Sequence, residues 1–212
     1  MSAEQPSGGA GGSRPPRIHP TAIIEPGVEI GAGTAVWDNV HVRGPARIGR
    51  DSIIGEKTYI AYGVEVGSYV KINAQVYICT GITIADRVMI AAGVVFTNDR
   101  YPRAFDEGGE GLAFSGPTED TLQTTVGEGA TIGAHAVIGP GLTIGPYAMV
   151  GMGSVVVADV PPHALVFGNP ARGRGYVCIC GRPLRTHGDG KAAALPTCER
   201  CGRTSREPIA LR

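Results

Sequence analysis

Gly49-Arg50-Asp51-Ser52-Ile53-Ile54-Gly55-Glu56-Lys57-Thr58-Tyr59-Ile60-Ala61-Tyr62-Gly63-Val64-Glu65-Val66 is three six-residue units in succession, each ending on an aliphatic residue. Reading outward in both directions, the sixth-residue position holds isoleucine or valine from Ile18 to Ile90, and Phe96 keeps the phase. The spacing breaks, then returns at Val126, Ile132, Ile138, Ile144, Val150 and Val156. A second register four residues after each anchor carries small or β-branched residues, among them Val40, Ala46, Ser52, Thr58, Val64 and Val70. An even offset puts both registers on one side of an extended chain. A 3.6-residue helix cannot hold a strict six-residue stripe. The sequence therefore predicts short strands separated by corners and coiled about one axis, a solenoid whose coils bury a shared core by stacking. Glycines directly after the anchor, such as Gly49, Gly55, Gly67, Gly133 and Gly151, are expected to serve the bends.

The composition agrees. The chain has 33 glycines and four phenylalanines among 212 residues, which suits a corner-rich solenoid better than a layered core. Its formal net charge is zero, which argues against a nucleic-acid footprint over the whole molecule. No stretch approaches the roughly 18 apolar residues of a membrane span. Residues 1–17, rich in Gly, Ser and Pro, lack the apolar run of a signal peptide and read as a disordered leader of a cytoplasmic protein.

Residues 97–125 lack the registers and form a long external loop, a kind of insertion that is usually functional or disordered. Pro161-Pro162 is expected to end regular β-structure. Residues 173–212 then read as a separate Cys-rich tail, with Cys178, Cys180, Cys198 and Cys201 in two close pairs, each followed by glycine. That spacing points to a tetrahedral thiolate site for structural zinc, because four thiolates leave no open position for chemistry. Unmetallated thiols and disulfides are the other readings of the same cysteines. From Arg172 to Arg212 nine basic residues face three acidic ones, a solvated surface or an attraction for phosphate. Cys79, directly after an anchor, reads as a packed thiol.

The pattern resembles the hexapeptide-repeat, left-handed parallel β-helix family. That resemblance implies an all-β fold of triangular coils over 18–172, a left-handed winding and a homotrimer. Phe96-Thr97-Asn98-Asp99-Arg100-Tyr101-Pro102-Arg103-Ala104 is similar to the F-T-N-D-x-x-P-R-A loop opening of bacterial nucleotide-sugar 3-N-acyltransferases. Trp37-Asp38-Asn39-Val40-His41-Val42 resembles the W-H-F-V-H stretch of that group, and Val70-Lys71-Ile72-Asn73-Ala74-Gln75-Val76 resembles V-K-I-Q-N-N-V. Gly168-Asn169-Pro170-Ala171-Arg172 looks like the N-P-A-R ending of many hexapeptide acyltransferases. The chain departs from these motifs at Asp38, at Ala74 and at Gly55-Glu56-Lys57, where G-Q-N is common, so no role tied to the central asparagine of Q-N-N carries over.

The resemblance implies transfer of an acyl group from acetyl-CoA or another acyl-CoA to a nucleotide-linked 3-amino sugar, along a groove between subunits. Such chemistry needs a docked thioester, donors at the oxyanion and a proton acceptor. His41 is the first candidate for the acceptor on residue chemistry, with Glu56 second, and Asn98 can orient the amine or carbonyl. Asn39, Tyr62, Asn73, Gln75, Tyr77 and Arg103 are the candidates for holding the nucleotide-sugar. Gly133, Gly151 and Arg172 are those for CoA. A zinc-dependent carbonic anhydrase on the same scaffold would need three convergent imidazoles, and His19, His41 and His135 include no close pair. A non-catalytic trimeric scaffold that recruits partners through its zinc tail is the rival account.

Overall fold

A computed structural model of the chain describes residues 14–106, 108–184 and 197–203. The described residues form a parallel β-solenoid whose strands are two or three residues long in the coils. One coil takes 18 residues, so Arg47 pairs with Glu65, Tyr59 with Tyr77 and Ile53 with Lys71.

Three sheets make the three faces of the prism. Face A stacks Arg17–Ile18, Ala35–Val36, Ile53–Ile54, Lys71–Ile72, Met89–Ile90, Thr131–Ile132, Met149–Val150 and Ala164–Gly168. Face B runs from Ile23–Ile24 through His41–Val42, Tyr59–Ile60, Tyr77–Ile78, Val95–Phe96 and Val137–Ile138 to Val155–Val156. Face C runs from Val28–Ile30 through Ala46–Ile48, Glu65–Val66, Ile82–Ile84 and Thr124–Val126 to Thr143–Ile144.

The anchors form the core: Ile54, Ile60, Ile72, Ile78, Ile90, Ile132, Ile138 and Ile144 are all fully buried. Burying one such side chain is worth about 1.5–3 kcal/mol, which is how very short strands hold together. From Thr34 onward the second register is buried as well, and where it is polar its hydroxyl is used. Thr34 Oγ1 donates to Gly49 O at 2.7 Å, Thr58 Oγ1 to Asn73 O at 3.1 Å and Ser52 Oγ to Gly67 O at 3.3 Å. Each satisfies a corner carbonyl that no strand ladder reaches.

Four expectations change. The glycines after the anchors are not the bending residues. A Cβ on Gly49 would stand 2.5 Å from the carbonyl carbon of Gly67, and one on Gly55 2.6 Å from that of Asn73. They are required because successive coils touch backbone to backbone there. The left-handed bend falls two residues later, taken by Asp51, Lys57 and Tyr69 in some corners and by Gly33, Gly129 and Gly153 in others. Pro161-Pro162 does not end the β-structure: both prolines sit in a corner, and Ala164–Gly168 rejoins face A. That strand then turns into Ala171–Val177, which pairs with it antiparallel, and Pro183–Leu184 pairs next. Face A thus runs on across residue 172 into the tail. At the other end, Arg14 O accepts from Gly33 N and Arg17 pairs with Ala35, so the expected leader already joins the first coil there. Its residues 1–13 lie outside those described.

The external loop leaves face B after Phe96 and re-enters face C at Thr124, which is fully buried. Among the described residues no helix is long and apolar enough to cross a membrane.

Candidate active site

The step of 18 residues stacks side chains of different hexads in columns on the outside of the prism. On face B, His41, Tyr59 and Tyr77 form one column. The His41 ring meets Tyr59 edge-on at 5.6 Å, and Tyr59 stacks on Tyr77 at 5.2 Å with the planes 7° apart. Glu25 and Arg43 stand at equivalent places in the corner between faces B and C. His41 Nε2 lies 2.8 Å from Glu25 Oε1, and Gly44 N donates to Glu25 Oε2 at 3.2 Å. Arg43 Nε is 2.7 Å from Glu25 Oε1, but its N–H is not aligned on any acceptor, so this contact is an ion pair rather than a hydrogen bond. Arg43 also donates to Tyr59 Oη at 3.4 Å and lies over the Tyr62 ring at 5.5 Å. The hydrogen bond from His41, then the Arg43 guanidinium, lowers the Glu25 carboxyl to about 2.

A carboxylate so held accepts from the Nε2–H tautomer of His41, which leaves the Nδ1 lone pair as a proton acceptor. Burial raises the phenol of Tyr77 and pushes the Cys79 thiol to about 11, so Cys79 is a packed thiol and not a thiolate nucleophile at neutral pH.

Asn98 stands at the root of the external loop, in the same corner. Its Nδ2 donates to Thr80 O at 3.0 Å, while its backbone carbonyl accepts from Leu122 N at 3.3 Å and so closes the base of the loop. It is three coils above His41, about 14 Å along the stacking direction, and the two do not meet within one chain. Arg103 is exposed on the loop and donates to Pro102 O.

The corner between faces A and B carries the other candidates. Glu56 and Asn73 line an open depression of about 340 Å³ with Trp37, Gly55, Ala74 and Ala92. Asn39 and Gln75 lie in the same column of corner residues, both at positive φ, and the Asn39 amide donates to Asp38 at 2.9 Å. Gly133 and Gly151 directly follow the face A anchors Ile132 and Val150 and so continue the column of Trp37, Gly55 and Asn73. A Cβ on Gly133 would meet Met152 N at 2.5 Å, and one on Gly151 would meet Phe167 Cβ at 2.6 Å. Coil stacking therefore accounts for both glycines. Arg172 is exposed in the hairpin above them and pairs with Phe167.

The structure thus brings together His41, Tyr62 and Tyr77, and separately Glu56, Asn73, Gln75 and Asn39, on the two edges that bound face B. Glu25, Arg43 and Tyr59 went unrecognised in the sequence. Their signal is the spacing of 18, visible as 25/43 and 41/59/77.

In the tail, the sulfurs of Cys178, Cys180, Cys198 and Cys201 lie within 4.8 Å of one another. Cys178 Sγ is 3.5 Å from Cys201 Sγ, and Cys180 Sγ is 3.6 Å from Cys198 Sγ. Four thiolates about 2.3 Å from a central zinc stand about 3.8 Å apart, so the quartet fits a tetrahedral metal ion. The backbone amides of Cys201 and Arg200 lower the Cys198 thiol.

Residues 27–62, 63–98 and 123–158, half of the chain, match the family described as bacterial transferase hexapeptide (six repeats). The chain belongs to the bacterial transferase hexapeptide family. Within it, residues 45–80 also match the hexapeptide repeat of succinyl-transferase. A stretch of 63 residues is 43% identical to the dTDP-3-amino-3,6-dideoxy-alpha-D-galactopyranose 3-N-acetyltransferase of Aneurinibacillus thermoaerophilus, covering 30% of this chain and 33% of that protein. Among solved structures, this hexapeptide protein is similar to PerB from Caulobacter crescentus in complex with CoA and GDP-perosamine. The identity is 27% and the TM-score 0.45, over 77% of this chain and 58% of that one. It is also similar to a maltose O-acetyltransferase from Clostridium difficile, at 26% identity and a TM-score of 0.46, over 68% and 70% of the two chains. The chain spans about a third of the length of the curated relative it matches.

Proposed function

We propose that the protein is a homotrimeric N-acyltransferase that moves an acyl group, acetyl first among them, from acyl-CoA to the amino group of a nucleotide-linked 3-amino sugar. The observation that carries this reading is the 63-residue stretch 43% identical to a dTDP-3-amino-sugar 3-N-acetyltransferase. The loop from Phe96 to Ala104 and family membership support it.

The unprotonated sugar amine attacks the thioester carbonyl, the tetrahedral intermediate collapses, and CoA leaves as the thiolate. The proton released by the amine goes to His41 Nδ1, with Glu25 holding the other ring nitrogen, or to the departing thiolate. Corner backbone amides serve the oxyanion, while Asn98, about 14 Å along the column from His41, holds the root of the loop that borders the groove. Face B and its two edges suit this work. Outward residues of face C are Glu29, Arg47, Glu65, Thr83, Thr125 and Thr143, a solvent face, whereas face B presents Ile23, His41, Tyr59, Tyr77, Val95, Val137 and Val155. An apolar and aromatic side of this kind is suited to meeting another chain. In a trimer, the edge with Glu56 and Asn73 from one chain would face the edge with His41 and Asn98 from the next, forming one groove. The cysteine quartet takes a zinc ion of structural use, outside the reaction.

The test is thiol release from acetyl-CoA with a panel of dTDP- and UDP-linked 3-amino and 4-amino sugars. Turnover confined to 3-amino acceptors is expected. Turnover with none of them, by a pure trimer, would favour the partner-recruiting scaffold.

A further inference from the structure

The tail contains two copies of one small motif, Cys178-Ile179-Cys180-Gly181-Arg182 and Cys198-Glu199-Arg200-Cys201-Gly202-Arg203. Their hydrogen bonding is the same despite the one-residue difference in length. The first cysteine of each donates its N–H to the carbonyl of the closing arginine, Cys178 to Arg182 and Cys198 to Arg203, both at 2.8 Å. The glycine of each donates back to the carbonyl of the first cysteine, Gly181 to Cys178 and Gly202 to Cys198, again both at 2.8 Å. Both glycines have positive φ, 80° and 67°, a turn that points the two sulfurs of a knuckle at one spot.

The first knuckle is tied to the solenoid. It extends the strand Ala171–Val177, whose end is fixed to the last corner by Val177 N donating to His163 O at 2.8 Å, and Pro183–Leu184 folds back beside that strand. Among the described residues the second knuckle forms no strand: it carries a single bridge residue, Thr197, and its Cys198 is buried. The buried cluster that joins the two consists of Tyr176, Leu184 and two of the sulfur-bearing residues themselves, Cys178 and Cys198. Two apolar side chains and one bridge residue cannot offset the conformational entropy of ordering residues 197–203, which costs about 1–2 kcal/mol of backbone freedom per residue.

We infer that zinc is the folding element of the tail: bound by Cys178, Cys180, Cys198 and Cys201, it fastens the second knuckle to the first and so closes the free end of face A. The inference rests on the zinc assignment made above and is independent of the acyl-transfer chemistry. Metal binding here is folding free energy, so without zinc the two knuckles come apart while the coils, held by their own aliphatic ladder, and the strand Ala171–Val177 paired on them remain intact. The chain is then a two-part molecule with a metal-dependent cap and a metal-independent column.

The experiment is hydrogen exchange by mass spectrometry on the full chain, reduced, before and after zinc removal with a chelator, alongside metal analysis. About one zinc ion per chain is expected. Its removal should raise exchange in peptides from 178–184 and 197–203 by about tenfold or more, while peptides from 35–156 keep their protection and zinc restores both knuckles. The double variant Cys198→Ser/Cys201→Ser should show the same pattern without chelator. Reduced protein lacking zinc would overturn the metal assignment. Zinc that leaves without any change in the tail, or whose loss unfolds the coils too, would overturn its role as the local folding element.

Discussion

Glu25 gives one oxygen to the His41 ring and the other to the Gly44 amide, with Arg43 alongside. Its lowered carboxyl has a stability consequence whose sign is fixed. A carboxylate ionised more readily in the folded state stabilises above the unfolded value and loses that contribution as pH falls. For Glu25 the window is from 4.5 down to about 2. Melting temperatures of wild type and Glu25→Gln should therefore differ at neutral pH, and converge as pH falls through that window. A constant difference would contradict the ion pair. His41→Ala should lower turnover by about 100-fold if its ring takes the proton, measured by steady-state thiol release at a temperature where both proteins are folded. His41 was legible as a residue of useful chemistry on an outward position. Its partner was not, because the core repeats every six residues whereas surface neighbours repeat every 18. Glu25 and His41 are 16 apart and only adjacent once the coil length is known.

Strands and corners were legible to a different degree. The aliphatic register alone indicated which residues point inward, and Ile54, Ile72 and Ile90 do so without exposed surface. Thr124 escaped notice because the loop hides its phase, although it fills the second register. The glycine at the start of a corner was visible, but its reason was not. Contact between coils is a property of stacking and leaves no mark on a single hexad. Gly49→Ala should destabilise the solenoid by about 1–3 kcal/mol through overpacking against the Gly67 backbone, read by urea denaturation. A neutral result would show that the coils can separate there. At the loop root, Asn98→Ala removes the bond to Thr80 O, and kcat should fall while the unfolding midpoint stays that of wild type. Equal loss of both would make Asn98 a structural residue instead.

Over the whole molecule, the two candidate sets bound face B from opposite edges: Glu56 and Asn73 on one side, His41 with its Glu25 partner and Asn98 on the other. No single hexad discloses that division, because it follows from which corner each hexad occupies. A monomer keeps the two sets apart, and a trimer would join them across neighbouring chains. The most direct measurement is the activity of mixed assemblies made by co-expressing two differently tagged chains, one carrying Asn73→Ala and the other His41→Ala. Each variant alone is expected to be nearly inactive, and trimers containing both chains should recover acyl transfer, because one seam then pairs an intact edge from each. Mixed trimers no more active than either parent would contradict the shared groove.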